Sequence, residues 1–221
     1  MKRGFAKLII MLAVACFGVL ANGESGIGLG LDLGKGATVP LSSISRLIYT
    51  PLVRQATDYT CGVASAQSIL GFHGIDIRED VLAKDMKADP AIGTLTKDIV
   101  AYFTSHGFTA EGSLNMTFAQ LEASIDQNVP VIVLLQAWAE HLPVEWETDW
   151  VDGHYAVVTG YDDKNFYFMD PSTVGQYTYI AREEFLRRWH DVDGTERLMH
   201  YGLRITKDAP VFNFHDAVPM N

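Results

Sequence analysis

The spacing of apolar residues changes once along this chain, near Asn128-Val129-Pro130, and that change limits the folds open to it. Ahead of it the spacing is helical. Val63, Ala64, Ala66, Ile69 and Leu70 predict a helix that begins near Cys61 and ends around Gly71 to Gly74. A second helix is expected from Arg78 to Met86. A third has Thr94 and Thr96 as capping residues and Gly107 as its stop, and a fourth is capped by Thr117. Beyond the change, Val131-Ile132-Val133-Leu134-Leu135 is a β-branched run short enough for a buried strand. HYAVVTGY and NFYFMDP then flank Asp162-Asp163-Lys164, a turn between two strand-like segments. A short helix from Arg182 to Trp189 and a strand from Met199 to Ile205 complete the pattern. Helices first and antiparallel strands second imply an α+β fold, with amino-terminal helices packed on an antiparallel sheet.

The chain has 221 residues, enough for one domain with a sizeable core. It is 48% hydrophobic and 20% charged, far from the composition of disordered chains. Its net charge of −10 argues against a general grip on phosphate backbones, so no nucleic acid partner is expected.

Residues 1–23 place Lys2, Arg3 and Lys7 ahead of an apolar run from Leu8 to about Ala21, followed by small residues. This is the layout of a secretory signal peptide, and the run is short for a spanning helix. The expected location is therefore periplasmic or secreted after cleavage. Cys16, in Ala13-Val14-Ala15-Cys16, loosely resembles a lipoprotein processing site and leaves lipid anchoring as a minor alternative. Residues 24–40 form a glycine-rich leader, read as flexible with an added edge strand as the alternative. The compact domain is expected over 41–206, and 207–221 as a loosely held tail.

With the signal removed, Cys61 is the only remaining thiol. An odd cysteine in an exported protein is either packed and inert or kept for its reactivity. Its place at the first turn of a helix favours the thiolate, and Gly62 beside it admits a substrate backbone. His154 opens the first hairpin strand and Asp170 closes the second. With the turn centred near Asp163, pairing brings Asp170 within two or three positions of His154. A carboxylate there fixes the tautomer of an imidazole that serves as a base. Gln55, six residues before Cys61, offers an amide to a developing oxyanion, with the Cys61 N–H as the second donor.

Together, QATDYTCGVASAQSIL and HYAVVTGYDDKNFYFMDP resemble the two motif blocks of the bacteriocin-processing, double-glycine-leader cysteine peptidases and their papain-like relatives, over residues 45–206. The resemblance implies a papain-like cysteine peptidase fold. It also implies a Cys61–His154–Asp170 triad with Gln55 in the oxyanion hole, a peptide or protein substrate, and leader processing as a candidate role. The best-known members of that family carry a membrane region and an ATPase. This chain has no phosphate loop ending in Lys-Ser or Lys-Thr, so no ATP site is expected on it, and a membrane exporter enters only as a possible partner.

The alternatives are a catalytically silent peptide-binding accessory module, or a related acyl-transfer enzyme such as a cell-wall amidase or transpeptidase. His73, His106, His141, His190, His200 and His215 lack the close pairing of common zinc sites, so neither metal nor cofactor is expected. The segment 138–152 holds three tryptophans and five carboxylates ahead of His154. It reads equally as a substrate-facing loop selecting apolar and basic peptides or as a solvated acidic loop.

Overall fold

A computed structural model describes residues 38–138 and 144–220. The signal, the lipidation reading at Cys16, nearly all of the glycine-rich leader and part of the tryptophan segment lie outside those residues. Of the chain's two compact units, Met1–Thr38 and Val39–Asn221, the second holds every described residue except Thr38.

In chain order that unit runs β1 (Arg46–Leu47), α1 (Cys61–Phe72), α2 (Glu79–Asp85), α3 (Thr96–Ser105), β2 (Thr109–Ser113), α4 (Phe118–Asp126) and β3 (Val131–Gln136). Then follow β4 (Gly153–Tyr161), β5 (Asn165–Met169), β6 (Thr178–Ala181), α5 (Arg182–Arg188), β7 (His190–Asp193), β8 (Glu196–Met199) and β9 (Gly202–Thr206). The antiparallel sheet has the order β2-β9-β3-β4-β5-β6, with β1 paired to the far end of β4; β7 and β8 form a separate hairpin.

Alternation along the central strands feeds two cores, because successive side chains leave a strand on opposite faces. Ile132, Leu134, Tyr155 and Val157 pack with Val63, Ile69 and Leu70 of α1 and Ile99 and Phe103 of α3. Val133, Leu135, Ala156 and Val158 pack with Leu121 and Ile125 of α4 and Phe185 of α5. All six residues of β3 are buried. The sheet is thus covered on both faces: α1 and α3 lie on one and α4 on the other, so the amino-terminal helices do not form a single layer.

Several local expectations change. Residue Leu95 occupies the position before α3 and no neighbouring side chain caps it. Instead Asp193, from β7, accepts the Thr96 N–H at 3.1 Å and the Thr96 hydroxyl at 2.6 Å, a cap supplied from 97 residues away. Thr117 does cap α4, in a reciprocal capping box with Gln120. The strand expected from Met199 to Ile205 divides at His200, whose φ of +46° breaks extended backbone, so Met199 ends β8 and β9 begins at Gly202. The tail is anchored: Val211 and Phe212 donate their N–H groups to the Phe72 carbonyl, and Phe214 stacks on Tyr49 at 5.0 Å. A carbonyl in the last turn of a helix has no partner within it, and here the tail provides one.

Candidate active site

The hairpin of β4 and β5 decides where Asp170 points. At the turn Tyr161 pairs with Phe166 and Gly160 with Tyr167; past a bulge between Val158 and Gly160, Val158 pairs with Phe168 and Val157 with Met169. Continued by one residue, the inner register sets Asp170 opposite Ala156, on the face that His154 shares. Without Thr159 as the extra residue of β4, Val157 and not Ala156 would stand opposite Asp170, and His154 would lie on the other face of the sheet from it, since a one-residue slip turns every side chain over. The bulge therefore brings the carboxylate to the imidazole. His154 Nε2 lies 2.8 Å from Asp170 Oδ1.

Asp170 is tightly held. Its carboxylate also accepts from the Ser172 N–H and hydroxyl, each at 2.8 Å to Oδ1, and from the Thr173 hydroxyl at 2.9 Å to Oδ2. Burial raises its pKa, but the His154 hydrogen bond and charge together with the Ser172 donors outweigh that and bring it down to about 2. For His154 burial favours the neutral ring, yet the Asp170 hydrogen bond and the interactions with Cys61 prevail and lift its pKa to about 9. His154 therefore carries its proton at neutral pH.

Cys61 is a free thiol, partly buried at the first position of α1. Gly62 seats that turn: a Cβ there would lie 3.1 Å from both the Thr94 Cβ and the Tyr155 ring, and Tyr155 directly follows His154. Close backbone approach at a glycine thus joins the helix start to the strand that bears the imidazole. The His154 Nδ1 is buried without a partner at hydrogen-bond geometry, while Cys61 acts on the ring both as a hydrogen-bonding group and as a charge. Because Asp170 occupies Nε2, Nδ1 is the nitrogen left for the thiol.

The turn ahead of Cys61 leaves donors open. Thr60 does not cap α1; its hydroxyl lies 3.0 Å from that of Thr57. Gln55 is fixed beside the Asp170 segment by its N–H, which donates to the Pro171 carbonyl at 3.0 Å. Its Nε2 donates to the Thr57 carbonyl at 2.6 Å, and its Oε1 is buried without a partner. The structure thus tethers Gln55 next to Asp170, with one side-chain N–H committed to its own loop.

One group that sequence reasoning missed supports the site from below. Gln136, fully buried at the end of β3, donates to Asp191 Oδ1 at 3.0 Å and to the His190 carbonyl at 3.1 Å, and its Oε1 accepts the Asp152 N–H at 2.9 Å. The Asp191 carboxylate lies against Gly153, where a Cβ would overlap it. Gly153→Ala is therefore expected to cost about 1–3 kcal/mol by overpacking and to displace His154, read as a lower midpoint in urea together with slower turnover. Burial, partly offset by the Val192 N–H and Gln136, raises the pKa of Asp191 to about 6. A raised acid destabilises the fold as pH climbs from its unfolded value of 3.8 through about 6. Asp191→Asn should accordingly be more stable than the parent at pH 8, by on the order of 2–3 kcal/mol, and should lose that advantage at pH 4, as measured by urea unfolding. No signal in the sequence distinguishes this aspartate from a turn residue.

The tryptophan segment divides. Trp138 stands half-exposed with its ring 4.7 Å from that of His154. Trp146 is buried beneath the Arg188 guanidinium, and Trp150 packs on His190 and Arg197. Glu147 pairs with Arg187, and Asp149 accepts the Val151 N–H. Of the three tryptophans, Trp138 is the one at the site.

Among the described residues no group of three or more His, Cys, Asp and Glu side chains is arranged to hold a metal ion, and no helix is long and apolar enough to cross a membrane.

A sheet carrying histidine and aspartate against a helix that begins with cysteine is the arrangement of papain-like peptidase folds. The chain belongs to the Peptidase_C39 like family, whose model matches residues 47–196. Among solved structures it is similar to the peptidase domain of Streptococcus ComA, a bi-functional ABC transporter involved in a quorum-sensing pathway. That match has a TM-score of 0.55 and 21% identity over 74% of this chain and 100% of that one. A double glycine motif protease from an AMS/PCAT transporter, solved with its leader peptide, matches with a TM-score of 0.51 and 16% identity, over 76% of this chain and 96% of that one. A Bacillus anthracis structure described as a C39-like peptidase matches at 0.55 and 18%, over 74% and 98%. No curated protein matches significantly.

Proposed function

We propose that this chain is a cysteine peptidase that works outside the cytoplasm and cuts peptides of the leader-bearing kind. The observation that carries this is the buried His154–Asp170 pair, 2.8 Å apart, with its second ring nitrogen open beside the free thiol of Cys61. A packed, inert cysteine has no need of a protonated imidazole next to it.

In the proposed reaction the Cys61 thiolate attacks the scissile carbonyl carbon, and the oxyanion is held by the Cys61 N–H and the Gln55 amide. As the C–N bond breaks, His154 gives its Nδ1 proton to the departing amine, leaving a thioester on sulfur. The neutral imidazole then takes a proton from water, which attacks the thioester and releases the acid and the thiolate. Asp170 holds the ring throughout and stabilises its charged form. Export is supported by the basic and apolar start of the sequence, and leader peptides by the company of the double glycine motif protease.

The test is to incubate the purified protein with the peptides of a secreted fraction and to read new termini by mass spectrometry. Defined new termini, absent with Cys61→Ala, are expected; a digest indistinguishable from that of the variant would refute the reading.

A further inference from the structure

A cavity of about 210 Å³ opens beside His154 and Asp170, on the α4–α5 face of the sheet. We infer that it is the subsite for the first residue on the leaving-group side of the cut, and that it takes a medium-sized side chain with an aliphatic stem and rejects a cationic one. This rests on the peptidase reading and adds to it a rule for the residue just beyond the scissile bond.

Position supports the inference first. His154 and Asp170 line the cavity, whereas Cys61, Gly62 and Gln55 do not. During the reaction the acyl part of a peptide is fixed over sulfur, and the departing amine takes its proton from the imidazole. The chain beyond that amine must run past His154 on the side away from Cys61, where this cavity lies. Its volume is below the roughly 300–1,000 Å³ of small-molecule sites, and it suits one side chain.

The walls support the second part. Leu135, Ala156, Phe168 and Ile180 make an apolar lining, and Trp138 closes one side. Trp138 has a φ of +55°, a backbone conformation that costs a bulky residue about 1–3 kcal/mol and is retained chiefly where function requires it. Charge then selects. Asp170 is the acid on the wall, and His154, Ser172 and Thr173 already saturate its oxygens. Arg188, also on the wall, is bonded to Glu184 through Nη2 alone, and its Nε is buried without a partner. A lysine or arginine entering here would leave water for a mainly apolar site that already offers a cation and has no unengaged carboxylate on its wall. The preference for basic peptides suggested by the acidic loop is thereby reversed at this position.

The experiment is digestion of a random-sequence dodecapeptide library by the full chain, with new amino-terminal residues counted by mass spectrometry. Leucine and methionine should be enriched among them, and lysine and arginine depleted at least about tenfold relative to their supply. Thr178→Trp, which fills the cavity from β6, should shift the new termini towards glycine and alanine. A flat distribution, an enrichment in lysine or arginine, or a folded Thr178→Trp with an unchanged profile overturns the subsite and leaves the peptidase reading intact, provided that Cys61→Ala produces none of these termini. Absence of new termini with the parent chain, or identical termini with Cys61→Ala, overturns both.

Discussion

Cys61→Ala is expected to abolish peptide cleavage, with a fall in kcat of roughly six orders of magnitude, the loss seen when the nucleophile of a comparable enzyme is removed. In the proposed reaction the sulfur forms and breaks the bond, and no other thiol exists among the described residues. Stability should change little, because the side chain is small and only partly buried and alanine suits the first turn of a helix. Unchanged thermal unfolding with lost turnover is therefore the expected pair of results. Residual cleavage at a tenth of the parent rate would place the chemistry elsewhere.

Asp170→Ala comes next, with an expected loss of roughly four orders of magnitude in kcat. The substitution removes the acceptor for His154 Nε2 and for Ser172 and Thr173, so the ring loses both its orientation and the charge that keeps it protonated. A pH signature accompanies the loss. In the parent, burial disfavours the charged ring, but Asp170 and Cys61 raise the pKa of His154 to about 9. The ion pair's contribution is thus complete from about 3.8 to 6.5. It is lost as pH rises through about 9, where His154 gives up its proton, and as pH falls through about 2, where Asp170 gains one. The alkaline limb of kcat/KM should lie near pH 9 in the parent and move to lower pH in the variant. A variant that keeps the parent's limb would show that Asp170 does not set the proton affinity of His154.

Much of this site was legible in the sequence. Cys61 at a helix start, and His154 and Asp170 on facing strands, follow from local pattern and from the turn chemistry of Asp162, whose Oδ1 accepts the N–H groups of Lys164 and Asn165. That His154 and Asp170 share one face of the sheet was not legible, because a bulge at Thr159 of β4 decides it, and a bulge has no fixed residue signature. The β2 strand escaped notice since Thr109–Ser113 is polar, contains a glycine and is mostly exposed at the sheet edge. The Asp193 cap on α3 and the Gln136–Asp191 contact under Gly153 join residues dozens of positions apart, and each end alone has an ordinary local explanation. Gln55 was assigned as a donor from spacing, whereas its amide in the folded chain is partly spent on Thr57.

The most direct measurement is the rate at which iodoacetamide alkylates Cys61 at pH 7 in the parent and in His154→Ala. Removing the ring opens access to the sulfur, so a slower reaction in the variant cannot come from shielding. A fall of at least about tenfold is expected, because in the proposed pair the imidazole activates the sulfur and the variant lacks it. Equal or faster alkylation in His154→Ala would contradict the pairing of Cys61 with His154 and the chemistry built on it.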